Sequence, residues 1–388
     1  MRCYFINLNS DPFLSISNSI KNHYMNEWQK DKKKIVGHYC TYIPEELLYA
    51  ANLLPFRIRA TGHEDTDLGD IYMVRFTCSF VRATLDMALR GFYDFLDGLF
   101  ICNSCDHTRR MFELFDLKVF KREGFNKKVP RFYIAIPHII TNEGFEWYKR
   151  EIEELKEEIE KDYNNKKITD EDLFNSINIY NKNRSLLREI HKLRIQDAPK
   201  ITGTEALQIS MANSSVPKDI ANQELERILN LLKESEGLKT DAKRVMLVGS
   251  EVDDINFTKL IENSGASIVS DFLCFGIRNF LDDVKLEDGK NPLEMISRRL
   301  YYRISCPRMM DDHQRRLDFI KDEIKRAKID GVILQRINNC DLAGCDNMLF
   351  SHELKDLEIP VLNIDREFFQ ADTTRLQTRI EAFIEMIS

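Results

Sequence analysis

The first third of the chain alternates short apolar runs with amphipathic stretches. Ile35-Val36 opens the series and leads to Pro44–Ala51, a predicted helix with proline near its first turn. Leu54–Ile58 reads as a strand, as do Val74–Thr77, Leu99–Ile101 and Phe132–Ile136, the last ended by Pro137. Helices are predicted over Ser79–Arg90, which Gly91 can stop, and from Asp106 to Phe115. Strand followed by helix, repeated, is the pattern of a parallel sheet with crossover helices.

From residue 142 the texture changes. Ile152, Leu155 and Ile159 fall at helical spacing among many Glu and Lys. Thr169 with Asp172 forms a capping box, and Leu173, Ile177 and Tyr180 make a second apolar stripe. A third helix is predicted over Gln223–Ser235, and the charge runs between the stripes read as solvated faces. The strand–helix alternation then returns. Strands are predicted over Val245–Val248, Ile268-Val269, Gly331–Leu334 and Pro360–Ile364. Helices are predicted over Ile255–Asn263, Asp318–Ala327, Asp346–Leu357 and Thr373–Ile387. The fold class expected is therefore α/β: two Rossmann-like parallel-sheet domains, residues 1–141 and 241–388, with an α-helical insert over 142–240.

Composition narrows the function classes. The 388 residues are 43% hydrophobic and 31% charged, which suits a globular chain and not a disordered one. The most apolar stretch, Phe132–Ile140, is far shorter than the roughly 20 residues of a membrane span and contains Pro137 and His138. Asp11, Lys21, Glu27, Lys30 and the Lys32-Lys33-Lys34 run leave no apolar core for a secretory signal, so a cytoplasmic protein is expected. The net charge of -7, without a basic stripe, argues against a nucleic-acid partner.

Nine cysteines then call for an explanation: Cys3, Cys40, Cys78, Cys102, Cys105, Cys274, Cys306, Cys340 and Cys345. An odd number on a long chain of this kind is not a disulfide framework. Buried thiols acting as small apolar residues are the plain alternative. Cys78, Cys105 and Cys340 differ from the rest in standing where predicted strands give way to helices. Ligands of open parallel sheets bind beyond the carboxyl ends of the strands, and helix N-termini favour thiolates. Three such sulfurs can converge there on zinc, copper(I) or an iron–sulfur cluster. Cys102-Asn-Ser-Cys105 is the one CxxC motif, and a redox dithiol stays open beside a metal site and inert thiols.

The segment His38-Tyr39-Cys40-Thr41-Tyr42-Ile43-Pro44-Glu45-Glu46-Leu47-Leu48-Tyr49-Ala50-Ala51, followed by Leu53-Leu54-Pro55, resembles the opening motif of the 2-hydroxyacyl-CoA dehydratase and benzoyl-CoA reductase subunit family. Cys78-Ser79, the stretch from Asp97-Gly98-Leu99 to Cys105-Asp106-His107, Asp330-Gly331-Val332-Ile333, Asn339-Cys340-Asp341-Leu342 and Ile359-Pro360-Val361-Leu362 agree with it in order. So does Leu376-Gln377-Thr378-Arg379-Ile380-Glu381-Ala382-Phe383.

The resemblance implies one [4Fe–4S] cluster on Cys78, Cys105 and Cys340, with an iron left open to a substrate oxygen. It also implies an acyl-CoA substrate, a homologous second subunit and an ATP-hydrolysing iron–sulfur activator that delivers one electron. The reaction implied is dehydration of an (R)-2-hydroxyacyl-CoA to the enoyl-CoA through a ketyl radical, which expels the hydroxyl and acidifies the β-hydrogen. Benzoyl-CoA reductase-like activity and a non-catalytic electron-relay subunit are the alternatives.

Glu46 matches the glutamate of the family's Pro-x-Glu motif and is the candidate catalytic carboxylate; its plainer role is to favour the first turn of a helix. A related branch holds a double-cubane [8Fe–9S] cluster on about six cysteines, which Cys40, Cys274 and Cys306 would complete here. Cys3, Cys102 and Cys345 read as filler, His107 as a hydrogen-bonding residue, and Asp253 and Asp254 as aids to the helix that follows them.

Overall fold

The structure is a computed structural model that describes residues 8–163, 167–238, 241–368 and 373–388; Cys3 lies outside them. Two four-stranded sheets, all parallel, make its two α/β halves. The first holds β1 (Lys34–His38), β2 (Leu53–Arg57), β3 (Gly98–Cys102) and β4 (Arg131–Ile134) in the order β2-β1-β3-β4. The second holds β5 (Lys243–Gly249), β6 (Ala266–Phe272), β7 (Gly331–Ile337) and β8 (Val361–Arg366) in the order β6-β5-β7-β8. The two orders are the same, so the halves share one topology. β2, β3 and β6 are buried along their whole length, as strands covered by helices on both faces should be.

In each half the strand order reverses direction at its second strand, between β1 and β3 and between β5 and β7. These are the points where such sheets open a crevice beyond their carboxyl ends. The halves meet at that edge. Arg57, ending β2, donates to the carbonyl of Cys274, just after β6, at 2.6 Å and pairs with Glu251 at 3.3 Å. The Ala60 amide donates to Asp253 at 2.6 Å, and the Phe368 amide to Ser79 Oγ at 2.8 Å.

Between the sheets run four helices, Asn142–Asp162, Asp170–Arg194, Gly203–Asn213 and Lys218–Glu234. The predicted capping box is present: the Asp172 amide donates to Thr169 Oγ1 and the Thr169 amide to Asp172. The helix Asp170–Arg194 packs on Lys218–Glu234 and on the helix Glu45–Ala50, which ties the insert to the first sheet.

Several predicted elements are corrected. Val74–Thr77 is a turn, closed by a bond from the Thr77 amide to the Val74 carbonyl, and not a strand. Its apolar side chains face solvent, Val74 at 68% and Phe76 at 81% exposure, so apolar spacing there does not report a buried face. The third insert helix begins at Lys218, behind Pro217, rather than at Gln223. The helices His23–Lys30, Asp67–Tyr72, Gly203–Asn213 and Pro292–Tyr302 were among those not predicted. The helices expected from Asp318 and Asp346 begin at His313 and Asp341.

A buried arginine fastens the segment after Pro292–Tyr302. Arg316, 1% exposed, grips Asp346 with two bonds of 2.9 and 2.8 Å and donates to Ser305 Oγ and the carbonyls of Cys306 and Met309. Arg316→Ala leaves Asp346 and two carbonyls short of donors. It should cost about 3 kcal/mol of stability, read as a lower urea midpoint with an unchanged m-value; a variant as stable as the parent refutes this role.

Candidate metal centre

Cys78, Cys105 and Cys340 each stand at the N-cap of a helix: Ser79–Leu89, Asp106–Leu114 and Asp341–Asp356. Cys105 and Cys340 hold corresponding places, each capping the helix after the third strand of its sheet. Cys78 does the same without a preceding strand, at the end of the Val74–Thr77 turn. The Cys105 sulfur accepts the Thr108 amide at 3.4 Å and lies 3.1 Å from the Thr108 hydroxyl. At Cys78 and Cys340 the sulfur makes no capping bond; the Val81 amide returns to the Cys78 carbonyl at 3.1 Å and the Gly344 amide to the Cys340 carbonyl at 2.9 Å. Of the three, Cys105 is the one whose sulfur caps its helix.

The local sequence explains the aim. Asn339 adopts a left-handed φ of 64°, which asparagine tolerates better than most side chains. That kink lets the Cys340 amide return to the Ile337 carbonyl at 2.9 Å. The Asn339 amide group reaches the Arg75 carbonyl at 3.2 Å, which links the Cys340 turn to the turn before Cys78. His107 Nδ1 accepts the Cys78 amide at 3.3 Å, the hydrogen-bonding role expected of it.

The three sulfurs feel one another. Burial, then the charges that Cys340 and Cys105 would carry, push the Cys78 thiol well up. Burial pushes Cys340 up to about 11, with Cys105 adding to it, and raises Cys105 against the pull of Thr108. Without a positive centre the three are neutral thiols; a metal that takes them as thiolates removes the mutual repulsion. The donor set fits such a centre. A single tetrahedral zinc, with Zn–S bonds of about 2.3 Å, would need the sulfurs within roughly 4 Å of one another. Among the described residues the one trio of potential ligands drawn within 4.8 Å is His63, Asp65 and Asp86. There Asp86 is already engaged by Arg90 and the amides of Leu68 and Gly69.

A second set of thiols lies beside the first. Cys40 follows β1, and Cys102 ends β3 fully buried in the core. A hydrogen bond from Cys102, helped by Arg308 and Arg303, draws the Cys40 thiol well below its ordinary range despite burial. Burial and the same bond hold Cys102 up. Cys102 thus lies beside Cys40, while Cys105 lies with the first set. Cys306 lies within electrostatic reach of Cys102 and of Cys274, and Arg278 donates to the Cys274 sulfur. None of the eight described cysteines is in a disulfide, and Cys345 is exposed on its helix, as filler would be.

Four arginines surround this second set, and sequence reasoning missed them. Arg308, 0% exposed, ties the segment after Cys306 to the carbonyls of Asn103 and Pro137 at 3.0 and 2.7 Å. Arg303 donates to Thr41, at 2.6 Å to its hydroxyl, and stacks over the Tyr42 ring at 4.9 Å. Arg57 and Arg278 complete the group. Among the described residues, Nε of Arg57 and both Nε and Nη1 of Arg303 have no partner. The signal was present in the sequence: arginine within an apolar run, as in Leu53-Leu54-Pro55-Phe56-Arg57, is costly to bury unless something anionic meets it.

Glu46 sits apart from these sulfurs, in the first turn of Glu45–Ala50. It is 1% exposed, accepts from Arg184 at 2.6 Å and has Arg299 at 4.0 Å. Burial raises its pKa, but the two guanidinium groups outweigh that and hold it below the ordinary carboxylate value. The small cavity at Glu46 is lined by Thr41, Arg184 and Lys218 among others and by none of the cysteines. Of the aspartates expected to aid the helix Ile255–Asn263, Asp254 does cap it, at 2.9 Å to the Asn256 amide. Asp253 is corrected: it bonds Ala60 across the halves instead.

Residues 40–387 match the family model described as 2-hydroxyglutaryl-CoA dehydratase, D-component. The chain is 26% identical to the (R)-phenyllactyl-CoA dehydratase beta subunit of Clostridium sporogenes, over 98% of this chain and 100% of that protein. It is 26% identical to a benzoyl-CoA reductase subunit of Thauera aromatica, over 87% of each. It is 25% identical to the (R)-2-hydroxyglutaryl-CoA dehydratase beta subunit of Acidaminococcus fermentans, over 93% of this chain and 94% of that protein.

The Glu46 pair makes stability depend on pH. A carboxylate whose folded pKa is lowered contributes above its unfolded value and loses that contribution as pH falls through the folded one. Glu46→Gln should therefore cost about 2 kcal/mol at pH 7, with the gap to the parent closing below about pH 4. Thermal melts at both pH values check this; a gap independent of pH removes the ion pair from the account.

Proposed function

Because the chain belongs to the 2-hydroxyglutaryl-CoA dehydratase D-component family, we propose that it is the β-type iron–sulfur subunit of a 2-hydroxyacyl-CoA dehydratase. The observation that carries this reading is the convergence of three N-cap cysteines, Cys78, Cys105 and Cys340, from both halves of the fold. These three hold a [4Fe–4S] cluster in the proposal. When bound, such a cluster supplies one-electron transfer and, at an iron without a protein ligand, a Lewis-acid position for a substrate oxygen.

The chain's own residues do the rest. The Thr108 amide offsets the negative charge of the Cys105 thiolate. His107 fixes the backbone at Cys78. Glu46 remains the candidate proton-handling carboxylate, under a condition set by Arg184: it is held ionised, so it can accept a proton but has none to give at neutral pH. If it stays outside the reaction, this chain relays electrons to a partner that binds the substrate.

The substrate proposed is an acyl-CoA, and the partners are a homologous second subunit and an ATP-hydrolysing iron–sulfur activator. The relatives' names support a subunit of a larger enzyme, dehydratases among them and one reductase. Benzoyl-CoA reductase-like activity is the alternative within the family. Among the described residues no helix is long and apolar enough to cross a membrane, and the unpaired thiols suit a reducing cytoplasm.

A second reading has its own observation. Cys40, Cys274 and Cys306, with arginines whose buried N–H groups lack partners, form a further anion-suited thiol set. That set favours a double-cubane cluster on six cysteines. Iron and sulfide determination on anaerobically purified protein decides. About four irons per chain, lost in Cys78→Ala, Cys105→Ala and Cys340→Ala but kept in Cys306→Ala, is the expected result. About eight irons, halved by Cys306→Ala, supports the double cubane. Colourless protein with stoichiometric zinc overturns both. In the reconstituted complex, unchanged turnover of an iron-replete Glu46→Gln variant assigns this chain the relay role.

A further inference from the structure

A hydroxyl within a helix has a backbone carbonyl of the preceding turn within reach. Thr258, Ser297 and Thr378 take that course, donating to the carbonyls of Ile255, Leu293 and Thr374 at 3.0, 2.8 and 3.0 Å. Thr108, in the first turn of Asp106–Leu114, does not. It is 6% exposed, and its hydroxyl lies 3.1 Å from the Cys105 sulfur. Its amide donates to the same sulfur at 3.4 Å. The amide and the hydroxyl of one buried residue are thus both turned to one sulfur.

The arrangement is that of a capping box with sulfur in place of an oxygen. The chain has two boxes of the ordinary kind, Thr169 with Asp172 and Thr202 with Glu205. In each the hydroxyl also lies against the carboxylate, at 2.7 and 3.1 Å, so the hydroxyl of the box meets an anion. At Cys105 the roles are exchanged: the hydroxyl is on the third residue after the cap, and the group it meets is the sulfur. A neutral thiol can itself donate. A thiolate bound to iron has lost its proton and only accepts, which leaves Thr108 as the donor. The residues at the matching place after Cys78 and Cys340 are Val81 and Ala343, which carry no hydroxyl.

We propose that Thr108 is a positioning residue that sets the reduction potential of the cluster, through a hydrogen bond from its hydroxyl to the Cys105 sulfur. The inference rests on the iron–sulfur reading given above. An added electron raises the negative charge on the cluster and on the sulfurs that hold it. A donor at one of those sulfurs therefore binds the reduced form more tightly than the oxidised one and raises the potential. The donor is buried, so the bond keeps its strength where an exposed one would compete with water. Electron uptake becomes easier without any change of ligand.

Redox titration of the full, iron-loaded chain, followed by electron paramagnetic resonance, tests this. Thr108→Val keeps the shape and the amide and removes the hydroxyl; Thr108→Ser keeps the hydroxyl. With iron content equal to the parent's, Thr108→Val should have a more negative midpoint potential. The ratio of reduced to oxidised cluster at a fixed potential should fall about tenfold, which is about 59 mV for one electron. Thr108→Ser should stay close to the parent, and Thr108→Ala should shift in the same direction as the valine variant. A purely structural cap leaves the potential unmoved. Equal potentials in iron-replete parent and Thr108→Val, or a shift in the valine variant that alanine does not share, overturn the tuning role and leave the cluster reading standing. A parent chain that takes up no iron in strictly anaerobic reconstitution overturns both.

Discussion

A sulfur anion removed from water needs positive charge beside it, and the unsatisfied N–H groups of a helix's first turn are a source the backbone itself provides. One such turn gives a fraction of a charge. Three helices of this fold start with a cysteine at the N-cap, and at Cys105 the sulfur itself takes the first-turn amide. Two helices come from corresponding positions in the two sheets, after β3 and after β7. The third, Ser79–Leu89, is a crossover helix of the first sheet. The sheets must then present their carboxyl ends to each other. The contacts that hold them so, Arg57 to Cys274, Ala60 to Asp253 and Phe368 to Ser79, all lie at that edge.

What the sequence made legible follows from the same physics. Strands buried on both faces read as continuous apolar runs, so Val245–Val248 and Gly331–Leu334 stood out. The cysteines at N-caps were legible because they sat beside those runs. Val74–Thr77 misled because β-branched and aromatic residues mark strands only where a face is covered, and here Phe76 is in solvent. Gly203–Asn213 escaped because nine of its residues are buried, which leaves no polar face to set a period. The start of Lys218–Glu234 was hidden by Lys218 and Asn222, polar residues buried against Glu45 and Asn183, which are distant in sequence.

The second thiol set was half legible. Its cysteines could be counted, but their company could not, since Arg57, Arg278, Arg303 and Arg308 reach it from separate segments. Long-range placement of charge has no local signature. Arg308 illustrates why it matters: its nitrogens bond the carbonyls of Asn103, Ile136 and Pro137, closing the loops after β3 and β4 over the core. Most of that guanidinium's work is structural. Arg303 is the opposite case, with one nitrogen on Thr41 and the other two unspent.

Unspent buried donors carry a cost of about 1–3 kcal/mol each, and a fold keeps them when something else meets them. Two claimants lie within the molecule's own geometry. The Cys40 thiolate is one, drawn below its ordinary range in part by Arg303 itself. The adjoining cavity, whose wall Arg303 joins, is the other. The claims are not exclusive, because Nη2 anchors to Thr41 and leaves Nε and Nη1 for different neighbours. A guanidinium held between a thiol set and a cavity would feel both, so a change of charge at the sulfurs alters how strongly it holds an oxygen on its other side. Arg303 thus stands between the buried cysteines and the cavity.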